Sequence, residues 1–198
     1  MTTKQYDRAY FDRWYRGRNR VHGEGEVRRK VTLALATAEY FLRRPVRTVL
    51  DVGCGEGAWL PHLRALRPRL SYLGIDPSDY AVERFGQERN IRKGAFGALG
   101  SLRLKASYDL VICSDVLHYV PEADIAAGID EIVKLLDGLA FLEVLTKEDD
   151  IIGDLQGLVK RPALWYRKTF ARAGLVQVGA YCWVGPTLED SVSALERC

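Results

Sequence analysis

The stretch "VLDVGCGEGAWL", residues 49 to 60, spaces one acid and three glycines for contact with a ligand through the main chain. A ligand can lie against backbone only where side chains are missing. Gly53, Gly55 and Gly57 supply that room and tolerate positive φ; Cys54 and Glu56 alternate with them and Ala58 follows. Read without Asp51, the run is G-x-G-x-x-A, a dinucleotide fingerprint. Read with it, the run is D-x-G-x-G-x-G. The two readings differ in charge. A dinucleotide brings a pyrophosphate to this turn, where a carboxylate two residues upstream is poorly placed. S-adenosylmethionine brings an ammonium, a carboxylate and a sulfonium, and a nearby acid helps to hold cations. Asp51 can also hydrogen-bond into its own loop, which is compatible with the second reading.

A second acid, Asp76 in "YLGIDPS", follows Asp51 by 25 residues. At the end of a second strand such an acid accepts hydrogen bonds from ribose hydroxyls. The plainer reading is an acid favouring a helix dipole, although Ser78 is the better cap. His118, in "SDVLHYV", lies past another strand and has the ordinary pKa of a general base; it reads equally as a packed or capping residue. Tyr119 reads equally as core. His62 falls on a helix, His22 in an N-terminal loop, Glu143 at a strand end, and Asp149 and Asp150 in a polar loop.

These residues need elements to hold them. "YDRAYFDRWYR", residues 6 to 16, puts Tyr6, Tyr10 and Trp14 on one helical stripe, with Phe11 and Tyr15 adjoining. "EVRRKVTLALATAEYFLRR" is a longer amphipathic helix stopped by Pro45. "RTVLDVG", "LSYLGID", "IRKGAF", "YDLVICSD" and "GLAFLEVL" are strands alternating with helices. "TKEDDIIGDLQGLVKR" is a candidate lid loop, and "PALWYRKTFARAG" a helix stopped at Gly174. "LVQVGAYCWV" and "DSVSALERC" read as two last strands about Gly185-Pro186. Alternation implies a parallel sheet with helices on both faces; the short last connection implies an antiparallel hairpin at one edge.

The chain resembles the class I S-adenosylmethionine-dependent methyltransferases. "VLDVGCGEG" is similar to that family's first motif, "YLGIDPS" to its second, and "YDLVICSDVLHYV" to the strand that runs past the cofactor; "ALWYRKTFARAGL" resembles the last helix. The resemblance covers about residues 45 to 198. It implies an α/β fold: a single Rossmann-like, doubly wound, seven-stranded sheet of order 3-2-1-4-5-7-6, with strand 7 antiparallel. It implies S-adenosyl-L-methionine as cofactor and S-adenosyl-L-homocysteine as product. Gly53, Cys54 and Gly55 would contact the methionine end, Asp76 the ribose and Pro77 the adenine, with Cys113 and Ser114 beneath the adenosine. The family often carries an acid after the third strand. Here Ala95 and Phe96 stand there, and Phe96 is expected to pack on the adenine. Residues 1–45 are expected to form a helical lid or cap, and 46–198 the cofactor-binding domain. Tyr10, Trp14 and Tyr15 from the cap, and Trp165, Tyr166 and Arg167 from the last helix, are candidate acceptor contacts, each with core packing as the alternative.

Composition narrows the rest. At 198 residues, 47% apolar, the chain can bury roughly two-thirds or more of its unfolded surface without staples. Four scattered cysteines suggest neither a zinc site nor a disulfide framework and fit a reducing cytoplasm. No apolar run approaches the ~20 residues of a membrane span. Net charge is +3, yet residues 1–30 hold nine Lys/Arg against four Asp/Glu, either a solvated face or an anion grip. Neither a Pro-Cys pair nor an N/D-P-P-Y/F motif is present, which argues against DNA, glutamine and adenine acceptors. The short appendages favour a small-molecule acceptor with an O, N or S nucleophile. Methylation of RNA or a protein gripped by the basic N-terminus, a non-catalytic cofactor-binding protein, and an NAD-dependent oxidoreductase stand as alternatives. The oligomeric state is not legible.

Overall fold

The computed structural model describes residues 4–16, 23–105, 107–151 and 153–198. Seven strands form one sheet: β1 Thr48–Val52, β2 Ser71–Asp76, β3 Ile91–Lys93, β4 Tyr108–Ser114, β5 Leu136–Glu143, β6 Val176–Gly179 and β7 Cys182–Val184. Their order is β3-β2-β1-β4-β5-β7-β6. The first five pair in parallel, with Asp51 beside Gly74 on one side and Ile112 on the other. β7 runs antiparallel between β5 and β6.

The central strands are apolar on both faces because both are covered. Along β4, Leu110 and Ile112 enter one core, and Val111 and Cys113 the other; β5 alternates likewise through Leu139 and Phe141 against Ala140 and Leu142. The first core is closed by α2, Glu24–Leu42, whose Val31, Ala34, Leu35, Ala38 and Phe41 form a stripe at helical spacing, and by Leu60 and Leu63 of α3, Leu60–Leu66. The second is closed by α5, Glu122–Leu135, and α6, Ala163–Arg172. The remaining helices are α1, Arg8–Phe11, and α4, Asp79–Arg89. At the amino end of β4, Asp109 accepts both Arg44 guanidinium nitrogens, at 2.6 and 3.0 Å, and the N–H groups of Arg47 and Thr48. It ties the α2–β1 connection to the sheet.

Three expectations are corrected. The last hairpin lies wholly within "LVQVGAYCWV" and turns at Ala180–Tyr181; Pro186–Ser191 is a 3-10 turn, and "DSVSALERC" is not a strand. The reason is burial: Cys182, Trp183 and Val184 pack inside, whereas the terminal stretch offers only Val192 and leaves Leu195 99% exposed. Residues 6–16 are not one regular helix. A single α turn, capped by Asp7, passes into a π turn over Asp12–Arg16. The third strand keeps only Ile91–Lys93 of "IRKGAF".

Candidate functional site

β1 and β4 are neighbours whose connections depart to opposite sides of the sheet order, the place where open α/β sheets form a crevice at their carboxyl ends. A cavity of about 210 Å³ opens there. Gly53 and Gly55 line it from the end of β1, Asp76 and Pro77 from β2, Ala95 and Phe96 after β3, and Asp115, Val116 and Tyr119 after β4. Tyr6, Tyr10, Phe11 and Tyr15 roof it. A second cavity beyond the glycine loop is lined by Asp51, Cys54, Glu56, Lys30, His62, Arg89 and Ser114. A third, narrow one holds Trp14, Leu145, Ile151 and Asp154. Tyr15 and Asp115 line all three and mark their junction.

Gly53, Gly55 and Gly57 have φ of +74°, +53° and +77°. A Cβ on Gly53 would stand 2.4 Å from Val116, and one on Gly55 3.1 Å from Phe11. Gly57 faces Ile91 and Arg89 at ordinary contact distance, so its backbone conformation is what requires glycine. The loop spends its own donors. Gly53 and Cys54 donate to the Ile75 carbonyl, Gly57 to Cys54, and Gly55 to Asp76 Oδ2 at 2.7 Å.

Asp76 Oδ1 accepts the Ser78 N–H at 2.9 Å. Burial pushes its carboxyl above the usual range, with these N–H groups opposing. Ser78 caps α4 through Ala81 N–H and donates to the Tyr6 carbonyl, tying the roof to the sheet. Asp51 is 2% exposed and accepts the Tyr72 hydroxyl at 2.8 Å. Burial lifts its pKa to about 7, against the pull of that hydroxyl. Burial also raises the Cys54 and Cys113 thiols, so both are protonated at neutral pH. Cys113 is buried in the core and lines none of the three cavities. Ser114 donates to Glu143, whose other oxygen lies 2.7 Å from Lys30 Nζ.

His118 is fully buried. Its Nδ1 accepts the Leu145 N–H at 3.3 Å, and its Nε2 faces Asp115 Oδ1 at 3.4 Å. Burial lowers its pKa despite the neighbouring carboxylate. The ring is therefore neutral, its Nδ1 lone pair engaged by backbone; its Nε2 makes no hydrogen bond among the described residues although Asp115 lies near, and the ring sits away from the cavity lining.

Asp115 is the residue sequence reasoning missed. Its φ of +62° places a non-glycine residue in the left-handed region directly after β4, where backbone strain marks functional sites. An acid one position beyond a strand's carboxyl end was the available signal. Other candidates disperse. Trp165 lies in a groove between α5 and α6, Tyr166 is buried against Phe170, and Arg167 is exposed; none lines the three cavities. Asp149 accepts both the N–H and hydroxyl of Thr146 in a turn, and Asp150 is exposed. His22 lies outside the described residues.

Residues 18–178 match a methyltransferase domain family. The release factor glutamine methyltransferase of Rhodospirillum rubrum is 29% identical over 166 residues, 76% of this chain and 49% of that protein. The chain thus spans about half the length of the curated relative it matches. Among solved structures, magnesium protoporphyrin IX methyltransferase from Synechocystis PCC 6803 with bound SAH superposes with a TM-score of 0.61 at 22% identity, covering 86% of each chain. The cyclase SpnF does so at 0.57 and 22%, over 82% of this chain and 62% of that one. The structures establish the fold, and the match over residues 18–178 establishes the family: the chain belongs to the class I S-adenosylmethionine-dependent methyltransferases.

Proposed function

We propose that this chain transfers a methyl group from S-adenosylmethionine to a small-molecule acceptor. The observation that carries the cofactor is the charge of the main cavity. Its lining holds Asp76, Asp115 and Asp124 and, among the described residues, no Lys or Arg. A pyrophosphate is repelled there, and the N–H groups of Gly53, Cys54, Gly55 and Gly57 are already bonded. A cationic ligand fits. The residues suit a nucleoside at one end, with Asp76 for ribose hydroxyls and Pro77, Ala95 and Phe96 beside the base. Across Gly53 they suit an amino acid, with Asp51 and Lys30 offering opposite charges.

Bound there, S-adenosylmethionine supplies an activated methyl on a sulfonium. The chain's part is alignment and exclusion of water. Tyr6, Tyr10, Phe11 and Tyr15 cover the cleft. Burial raises the hydroxyl pKa values of Tyr6, to about 12, and of Tyr10 and Tyr119, so at neutral pH they donate hydrogen bonds and do not take protons. Asp115, at the cavity junction, would offer its carboxylate to a positive charge held there.

Acceptor size is inferred from the third cavity, a narrow extension under Trp14 and Tyr15, with the larger second cavity, about 470 Å³, taken by the amino-acid end of the cofactor. Three of the solved relatives carry printed names with small acceptors, a porphyrin, a naphthoic acid and a plantazolicin analogue. An RNA grip finds little support among the described N-terminal cations. Four of the seven described, Lys4, Arg8, Arg16 and Lys30, face an acid, and Arg13, Arg28 and Arg29 stand exposed. Calorimetric titration with S-adenosylmethionine, S-adenosylhomocysteine and NAD tests the reading. Micromolar binding of the sulfur compounds is expected, weakened at least tenfold by Asp76→Ala, with acceptors then found by mass gain of one methyl. Preference for NAD, or no binding of any of the three, refutes it.

A further inference from the structure

Lys4 lies ahead of α1 and folds back against the wall of the main cavity. Its Nζ is 2.6 Å from Asp154 Oδ2 and 3.5 Å from the Tyr119 ring centre, with the rings of Tyr6 and Tyr10 at 5.1 and 5.4 Å. The Lys4 and Asp154 side chains are 12% and 10% exposed. Three aromatic faces around one ammonium, with a carboxylate behind it, is how proteins recognise organic ammonium ions.

The cage is rigid and shared. The Tyr119 hydroxyl donates to the Asp154 carbonyl at 2.7 Å, and the Gln156 N–H to Asp154 Oδ1 at 2.9 Å, so the acid is fixed with or without Lys4. Burial pushes Asp154 up, yet Lys4 and the Gln156 N–H hold it below the usual carboxylate range. All three tyrosines also line the main cavity. Asp154, Tyr10 and Tyr119 line the narrow one that joins it at Tyr15 and Asp115. Lys4 belongs to no helix or strand, so its departure breaks no element. It does leave a buried carboxylate ringed by tyrosine faces, which another cation must satisfy.

We propose that the cage of Tyr6, Tyr10 and Tyr119 with Asp154 is the recognition site for an ammonium group on the methyl acceptor, filled by Lys4 until the acceptor displaces it. A nitrogen held there is protonated and carries no lone pair; it is the handle by which the molecule is oriented. That the ligand is an acceptor rests on the methyl-transfer reading of the adjoining cavity. The ammonium site itself does not.

The probe is n-butylammonium, the lysine side chain without its backbone, with n-butanol as the neutral isostere. Calorimetry compares wild type, Lys4→Ala and Lys4→Ala/Asp154→Asn, each titrated in parallel with S-adenosylhomocysteine. Lys4→Ala should bind n-butylammonium at least tenfold more tightly than wild type and ignore n-butanol, and the added Asp154→Asn should abolish the gain. Where Lys4→Ala does not fold, Lys4→Ser, which also empties the cage, is read the same way. Equal affinity in wild type and variant, or equal affinity for n-butanol, overturns the proposal. S-adenosylhomocysteine bound without n-butylammonium refutes the cage alone. The reverse refutes the methyl-transfer reading and leaves an ammonium site standing.

Discussion

Asp51 and His118 show how burial reassigns a residue's chemistry. Asp51 titrates at about 7, so near neutrality its charge depends on pH. Below that value it is neutral and offers a cation nothing; above it, it attracts one. Affinity for S-adenosylmethionine should therefore rise as pH climbs through about 7, with a smaller rise for S-adenosylhomocysteine, which lacks the sulfonium. Asp51→Asn should flatten both curves. A flat wild-type titration would contradict the placement of a cation beside Asp51. His118 has the residue type of a base, but its Nδ1 lone pair is engaged by Leu145 and its Nε2 makes no hydrogen bond among the described residues. His118→Gln should lower the unfolding temperature, because a buried partner is lost, and change kcat by no more than about threefold. A pH-rate limb below the ordinary histidine value that vanishes in the variant would restore the catalytic role.

At the scale of elements, the end of the cleft proposed to hold the adenine depends on a helix–turn contact. Phe96 packs over Gly128 of α5, where a Cβ would come within 2.2 Å of the ring and 2.8 Å of the Phe96 carbonyl oxygen. Gly128→Ala should cost about 1–3 kcal/mol by overpacking and weaken cofactor binding by displacing Phe96. Calorimetry alongside thermal denaturation reads both, and unchanged affinity would show that Phe96 does not touch the base. The same scale explains where Trp165, Tyr166 and Arg167 went. Tyr166 sets the phase of α6 by entering the core with Phe170, so its neighbours point into the α5 groove or solvent. Helical spacing shows which residues share a face; it does not show which cavity that face meets.

The whole molecule sets two opposing pH dependences on stability. Asp109 is pushed up by burial, yet Arg44 and the N–H groups of Arg47 and Thr48 outweigh this and hold it below the ordinary carboxylate value. Its stabilisation is complete above that value and is lost as pH falls through the depressed one. Asp51, raised to about 7, acts in the other sense: folding is favoured below its unfolded value of 3.8 and loses that advantage as pH rises to about 7. Unfolding free energy measured against pH should lose its acid limb in Asp109→Asn and gain stability near neutrality in Asp51→Asn. Asp109→Ala should cost about 2–4 kcal/mol at pH 7, since Arg44 and two N–H groups lose their acceptor. A cost under about 0.5 kcal/mol would mean that water replaces the carboxylate.

The sequence by itself determined the strands and helices, whose periods are local, and the glycine loop, because positive φ at three alternating positions leaves few residue choices; the sheet order followed from the resemblance to the methyltransferase family. The sequence marked Asp76 by its place at a strand end, and the resemblance added Pro77. Tertiary structure alone decided the rest. Asp115 lies where three cavities meet, His118 turns its Nδ1 to the N–H of Leu145, 27 residues away, and Lys4 meets Asp154 across the roof. The last hairpin turned earlier than expected because burial at β5, and not turn residues, chose its strand. Local propensity writes elements into a chain; the partners of a buried charge are chosen by segments far apart in sequence, and no spacing rule contains them.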